Sequence, residues 1–148
     1  MPYFTYDTSV IISKRLFPFE ERQRNLLLSS IVLMELTASA HDVSQRKEWE
    51  QTYLQYQRDH SLIVPNADDW LLTSKILFLL THARKRLHKG KLRQLPPGAS
   101  QRLALDVLLA VSARRWKAHV VTENWSDFKA IQRYCNTTIV KATQFFQQ

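Results

Sequence analysis

The stretch YFTYDTSVII, which runs from Tyr3 to Ile12, decides the fold of this chain. Its first four residues are aromatic or β-branched and favour a strand, whereas the three that start at Asp7 carry the side-chain oxygens with which helices commonly begin. The stretch therefore predicts a strand over Tyr3–Tyr6 and, directly after it, a helix over residues 10–15.

Short apolar runs alternate with helical patterns along the rest of the chain. Strands are predicted at residues 26–29, 62–64, 119–122 and 138–140, and helices at about residues 20–24, 31–40, 44–60, 67–89, 100–117 and 126–134. Ser44 and Asn66 are the expected caps of two of these helices. Strands separated by helices pair in parallel, so the pattern predicts one α/β domain over residues 1–148, built on a central parallel sheet.

The composition excludes several kinds of protein. The chain has 148 residues and only two glycines, and it lacks the Gly-rich motifs that cradle nucleotide phosphates. Its single cysteine, Cys135, cannot form an internal disulfide or a structural zinc site. The first residues show no signal-peptide pattern, and the longest apolar runs are too short to span a bilayer. A soluble, cytoplasmic domain is therefore expected.

The chain is strongly basic, with 21 Lys and Arg residues against 13 Asp and Glu residues and a formal net charge of +8. Such a surface attracts phosphate backbones. An acidic pocket on a basic body suits a nuclease, because basic side chains hold the strand while acidic ones hold metal ions.

Four carboxylates stand out against this background: Asp7, Glu35, Asp106 and Asp127. Glu35 and Asp106 interrupt apolar helical runs, where an ionised carboxylate must be neutralised, paired or bound to a cation. Asp7 follows the first strand, and Asp127 follows the strand at residues 119–122. Ligands of parallel sheets bind beyond the carboxyl ends of the strands, so these two acids are expected to meet at one edge of the sheet.

Each acid also has a purely structural explanation. A helix cap accounts for Asp7 as well as metal ligation does, and Asp127 has the position of an ordinary first-turn helix acid. A buried ion pair is the alternative for Glu35 and for Asp106. The supporting candidates, which either hold a water or a carboxylate in place or act as capping and turn residues, are Ser9, Thr122 and Asn124.

Four carboxylates in close proximity repel one another at neutral pH unless cations neutralise them. Ligation by oxygen alone suits Mg²⁺ or Mn²⁺, with water and substrate phosphate in the remaining positions. Two such ions about 4 Å apart can activate a water molecule and stabilise the leaving oxygen, so no nucleophilic serine or cysteine is needed. The histidines show no zinc-type spacing and are interpreted as surface or core residues: His41, His60, His82, His88 and His119.

At these residues the chain resembles the PIN-domain ribonucleases, specifically the VapC-like toxins of type II toxin–antitoxin systems. Four pieces carry the resemblance, which extends from Tyr3 to about Val140: YDTSVI, the Glu35-Leu36 pair, Asp106 in its helix rich in Ala and Leu, and VTEN with Asp127-Phe128. The resemblance implies a three-layer α/β/α sandwich, Mg²⁺-dependent RNA cleavage, homodimerisation and a cognate antitoxin whose tail covers the active site. It also implies that the catalytic and metal-binding residues are Asp7, Glu35, Asp106 and Asp127, with Thr122 and Asn124 in support.

Two features depart from the family pattern. Residues 38–40, Ala-Ser-Ala, stand where the family often has a glycine, and the basic segment at residues 84–93 is long for a compact toxin. That segment either contacts RNA phosphates or is a solvated helix end; its cations are Arg84, Lys85, Arg86, Lys89, Lys91 and Arg93. Trp125 either stacks on an unpaired base or packs as a lid beside the site.

The leading hypothesis is a metal-dependent endoribonuclease that acts as a toxin and cleaves RNA phosphodiesters with metal-activated water. The first alternative is a catalytically silent PIN-like module that binds RNA or a partner protein, which a pocket without metal binding would favour. The second alternative is a free-standing nuclease in RNA processing, which would be active without a neighbouring antitoxin gene.

Overall fold

The structure is a computed structural model that describes residues 2–16, 25–87 and 99–147. Within those ranges, strands and helices alternate along most of the chain. In chain order the elements are β1 (Tyr3–Tyr6), α1 (Thr8–Ser13), β2 (Leu28–Ser29), α2 (Ser30–Ala38), α3 (Val43–Arg58), β3 (Leu62–Ile63), α4 (Ala67–Leu87), α5 (Ala99–Arg115), β4 (Ala118–Thr122), α6 (Trp125–Gln132), β5 (Ile139–Lys141) and α7 (Ala142–Phe145).

The strands pair in parallel, so their carboxyl ends lie at one edge. β1 pairs with β4 and β4 with β5, while β2 pairs with β3. A single parallel bridge between Phe4 and Leu26 joins β1 to the segment before β2, and Leu27 N donates to Phe4 O at 2.9 Å. The spatial order is thus β3-β2-β1-β4-β5, which confirms the predicted α/β fold with a central parallel sheet.

The middle of the sheet is buried on both faces, which explains why β4 is almost continuously apolar. Val120 and Val121 are fully buried within β4, and helices α1 and α5 both contact this strand. All the side chains at residues 107–111 of α5 are buried as well. Burying each Val or Leu side chain stabilises the fold by about 2 kcal/mol.

In the described part of the chain, no helix is long and apolar enough to cross a membrane.

Side chains fix where the helices begin. Asn66 caps α4 as predicted, since Asn66 Oδ1 accepts a hydrogen bond from Asp69 N at 2.9 Å and Asp69 Oδ2 accepts one from Asn66 N at 3.0 Å. The predicted cap of α3 was wrong, because Asp42 rather than Ser44 takes that position. Asp42 Oδ1 accepts from Gln45 N at 2.8 Å, and this starts the helix before Ser44 is reached.

Several element boundaries differ from those predicted. Helix α1 begins at Thr8, directly after Asp7, and β2 is shorter than the predicted strand at residues 26–29. Helix α7 was not predicted, because four residues give too weak a periodic signal to distinguish a helical turn. The predicted helix at residues 20–24 and the predicted end of α4 near residue 89 lie outside the described residues.

Candidate active site

Asp7 is held at the carboxyl edge between β1 and β4. Its backbone N donates to Val121 O at 3.0 Å, which continues the β1–β4 ladder by one residue. The residue is only 4% exposed, and its Oδ2 accepts hydrogen bonds from Ser9 Oγ and Thr122 Oγ1, both at 2.9 Å. Although Asp7 has the N-cap position of α1, its side chain makes no capping hydrogen bond. The two hydroxyl groups are therefore the main partners of the carboxylate, and the backbone N–H groups of Thr8 and Ser9 contribute less.

The loop after β4 fixes the direction of these two hydroxyl groups. Thr122 Oγ1 accepts a hydrogen bond from Asn124 N at 2.9 Å, and Ser9 Oγ accepts a longer one from Glu123 N at 3.4 Å. A hydroxyl has one proton to donate, so each hydroxyl that accepts from the backbone directs its own proton to Asp7. Helix α1 and this loop are further joined by Ser13 Oγ, which donates to Glu123 Oε1 at 2.6 Å.

Glu35 lies half-buried on α2 and faces the same region. Burial raises the pKa of its carboxyl group, the negative charge of Asp7 raises it further, and the Thr8 hydroxyl nearby acts in the opposite direction. Thr8 Oγ1 is buried beside this carboxyl group but has no partner at ordinary hydrogen-bond geometry. Among the described residues, no arginine forms an ion pair with Glu35, so the ion-pair alternative finds no partner there.

Asp106 shows that the four acids share one electrostatic environment. Its pKa is raised from an ordinary 3.8 to about 8. Burial is the main cause, and the negative charges of Asp7, Glu35 and Asp127 each add to it, while Arg102 one turn earlier on α5 opposes them. One arginine is too little compensation for the carboxylates around it. The structure therefore places Asp106 within electrostatic range of the other three predicted acids, which come from separate parts of the chain.

Asp127 and Asn124 form the exposed side of this group. Asp127 lies in the first turn of α6, where its charge acts on Asp106. Asn124 has the N-cap position of α6, but its side chain makes no capping hydrogen bond and is exposed. Its described contribution is the backbone N–H that binds Thr122. The supporting role predicted for Thr122 thus has a defined contact, whereas the Asn124 side chain has none with the residues that the structure describes.

The chemistry of this donor set fits a hard divalent cation, although the side chains are not drawn together around one point. In the described ranges, no three side chains of His, Cys, Asp or Glu form a group that could hold a metal ion as placed. The available donors are nonetheless all oxygen, which suits Mg²⁺ or Mn²⁺. The buried Thr8 hydroxyl beside Glu35 adds a further oxygen that has no partner at ordinary hydrogen-bond geometry.

The sequence did not predict the part that two residues play in the site, and the structure does not test one predicted feature, the basic segment. Thr8 had been named only among the residues with which the helix begins, and Ser13 had been given no role. Ser13 follows Ser9 by four residues and so lies on the same face of α1. That spacing was a usable signal. The basic segment falls largely outside the described residues, since the structure describes no side chains at residues 84–87 and nothing at residues 88–98. RNA contact by this segment stays a prediction.

Comparisons with known proteins agree with this topology. Neither a protein-family model nor a curated protein matches the sequence. Among solved structures, the chain is similar to FitAcB from Neisseria gonorrhoeae, with a TM-score of 0.57, 15% identity and coverage of 95% of this chain and 98% of the other. It is also similar to VapBC-1 from nontypeable Haemophilus influenzae, with a TM-score of 0.54, 18% identity and coverage of 95% and 98%.

A third similar structure is DNA-bound VapBC from Salmonella typhimurium, with a TM-score of 0.52, 19% identity and coverage of 96% of this chain and 99% of the other. The fold is PIN-like. Identities this low establish the fold alone, and the match covers nearly the full length of both chains. The PIN-like fold expected from the resemblance to VapC-like proteins is thus confirmed.

Proposed function

We propose that this PIN-like protein is a metal-dependent endoribonuclease and the toxin component of a toxin–antitoxin pair. The observation that carries the proposal is the environment of Asp106. Its pKa is raised to about 8 by burial and by three other carboxylates. Four acids from separate elements gain nothing for stability by lying together, because their charges repel. Such a destabilising arrangement is typical of a functional site that binds cations.

In the proposed site, Asp7, Glu35, Asp106 and Asp127 hold Mg²⁺ or Mn²⁺. When bound, the metal supplies positive charge that polarises a water molecule and the scissile phosphate. Thr122 and Ser9 keep the Asp7 carboxylate in one orientation through their hydrogen bonds to Oδ2. Removing a hydrogen bond that orients a metal ligand typically lowers metal affinity or activity by about 10–100-fold.

An RNA substrate is supported by the charge of the whole chain. The net charge of +8 includes the acids of the site, so the surface around them is more basic than the total suggests. Positive potential raises the local concentration of a polyanion and speeds its encounter with the protein. The acidic site alone would repel the same polyanion, which makes cleavage dependent on the metal.

A protein partner is supported by the structures that share the fold. They are described as VapBC and FitAB complexes, and we propose that this chain likewise binds a cognate antitoxin and forms a homodimer. Coexpression with the product of a neighbouring gene tests this point. Loss of cleavage in the copurified complex would support the toxin, whereas a nuclease that nothing encoded nearby inhibits would support a free-standing role in RNA processing.

Cleavage of an RNA panel by the purified protein tests the central proposal. We expect cutting with Mg²⁺ or Mn²⁺, none with EDTA, and none by an Asp7→Asn variant purified in the same way, which controls for contaminating nucleases. Calorimetry on the same samples measures metal binding. Neither cutting nor metal binding would contradict the proposal and favour a silent binding module, whereas metal binding without cutting would point to a narrow RNA target.

A further inference from the structure

The indole ring of Trp125 is covered by two lysine side chains. Lys129 Nζ lies 5.1 Å from the ring centroid and Lys141 Nζ lies 4.9 Å from it. Both distances are within the range of cation–π attraction. A tryptophan beside the site was predicted to stack on a base or to act as a packing lid. The structure shows a third use, since the ring holds two ammonium groups at defined positions.

These lysines lie at the same edge of the sheet as the acids. Lys141 ends β5 and pairs with Thr122 in the β4–β5 ladder, and neighbouring strands are about 4.8 Å apart. Thr122 is the residue whose hydroxyl holds Asp7. Trp125 and Lys129 belong to α6, the helix that carries Asp127. The cations therefore lie directly beside the acidic site, on its β5 side.

The charge of these lysines is available to a ligand. In the described ranges, no carboxylate forms an ion pair with either of them. Lys129 Nζ donates one hydrogen bond, to Gln132 Oε1 at 2.8 Å, and an ammonium group has three protons to donate. An ammonium group without a carboxylate partner attracts an anion such as a phosphate.

We propose that Lys129 and Lys141, held on the ring of Trp125, bind a backbone phosphate of the RNA strand next to the phosphodiester in the acidic site. This inference rests on the proposed function, because it assigns the path of the substrate at that same site. A phosphate contact of this kind positions the strand without selecting its sequence. It also offsets the repulsion that the carboxylates exert on the substrate.

The competing explanation is that the lysine stems only pack on the indole ring. Substitution of either lysine by methionine distinguishes phosphate binding from simple packing, because methionine keeps an unbranched stem of similar length and removes the charge. Lys141→Arg keeps the charge and can still stack on the ring. Lys47 is the matched control, since it is an exposed lysine on α3, a helix that packs against α2 and β3 near the opposite end of the sheet.

The test measures binding of a labelled single-stranded RNA by fluorescence anisotropy at several KCl concentrations and constant Mg²⁺. The protein carries Asp106→Asn so that the RNA stays intact. We expect Lys129→Met and Lys141→Met each to weaken binding about tenfold at low salt and to lower the salt slope by roughly 0.7 for each phosphate that is no longer neutralised. Lys141→Arg should bind like the parent protein, and so should Lys47→Met.

Cleavage kinetics in the chain with Asp106 intact give the second readout, where we expect Lys141→Met to raise KM about tenfold with little change in kcat. Met variants that bind and cleave like their parents would overturn the phosphate site, and the metal-dependent nuclease would stand. A parent protein that neither binds nor cleaves RNA would overturn the proposed function, and this inference with it. The two failures are therefore distinguishable.

Discussion

Thr122 Oγ1 donates a 2.9 Å hydrogen bond to Asp7 Oδ2, although 115 positions separate the two residues in the sequence. The contact is possible because β1 and β4 are neighbours, with Tyr6 opposite Val121 at their carboxyl ends. Asp7 and Thr122, the residues that follow this pair, therefore lie next to each other. The parallel pairing of two short strands is what assembles the first part of the site.

We expect Thr122→Val to lower metal affinity or cleavage by about 10–100-fold, because Asp7 Oδ2 then loses one of the two hydroxyl donors that orient it. The change also leaves the part-buried Asn124 N–H without its acceptor, which should lower the free energy of unfolding by about 1–3 kcal/mol. Thr122→Ser keeps the hydroxyl and serves as the control. Calorimetric metal titration and thermal unfolding of both variants make the comparison. Equal metal affinity in the Val and Ser variants would show that the hydroxyl does not orient Asp7.

The stability of the metal-free protein should fall as the pH rises from about 4 to about 8. The folded state raises the pKa of Asp106 from 3.8 to about 8, so in this range it retains a proton that the unfolded chain has released. Stability decreases with pH wherever the folded state binds more protons. The raised pKa values of Asp7 and Glu35 act in the same direction. Urea unfolding in EDTA at a series of pH values measures this dependence.

The variant Asp106→Asn should abolish detectable cleavage while leaving the fold at least as stable at pH 8, because a repulsive charge is removed. Its stability should depend less on pH than that of the parent protein. Chemical unfolding and RNA cleavage, measured on one preparation, check the predicted stability and the predicted loss of activity. A variant that unfolds would mean that Asp106 is instead a structural ion-pair partner.

Metal binding should release protons. A divalent cation binds the ionised carboxylates, whereas the raised pKa leaves Asp106 largely protonated at pH 7 in the free protein. Affinity for Mg²⁺ or Mn²⁺ should therefore increase up to about pH 8 and level off above it. Calorimetry in two buffers of different ionisation enthalpy counts the released protons, and Asp106→Asn should release fewer. The same proton release in both proteins would exclude Asp106 as the group that titrates.

The sequence predicted those features that depend on local pattern. The strand before Asp7, the apolar strand β4 and the cap at Asn66 each carry their signal within a few residues, and all three were correct. The hydrogen bonds of Ser13 to Glu123 and of Thr122 to Asp7 depend on which strands become neighbours. No local pattern shows which strands become neighbours. Thr122 could therefore be predicted as a supporting residue, but its hydrogen bond to Asp7 could not.

The cap of α3 shows a different limit. Asp42 and Ser44 are both good capping residues, and they stand two positions apart. The choice between them depends on the backbone conformation at which the chain leaves α2, and Asp42 adopts the extended conformation that a cap requires. The residue types alone could not show whether Asp42 or Ser44 caps the helix. Long-range geometry therefore settles even some details that look local.

Arg115 should contribute to stability independently of the candidate site. Its Nε donates to Asp69 Oδ2 at 3.0 Å and its Nη2 to Val64 O at 2.7 Å. These bonds tie the end of α5 to the start of α4, where the Asp69 side chain is only 6% exposed. Arg115→Met leaves that carboxylate without its cation, which should lower the free energy of unfolding by roughly 2 kcal/mol, less than for a fully buried pair because Arg115 is partly exposed.

Arg114→Met removes the same charge from an exposed neighbour on α5 and should change stability by less than about 0.5 kcal/mol. Asp69→Asn in the Arg115→Met background should recover part of the stability, because the unpaired charge is then gone. Urea unfolding of the four proteins measures these differences, and metal affinity should be the same in all of them. An equal decrease in the Arg114 and Arg115 variants would show that net charge, rather than the contact with Asp69, determines the effect.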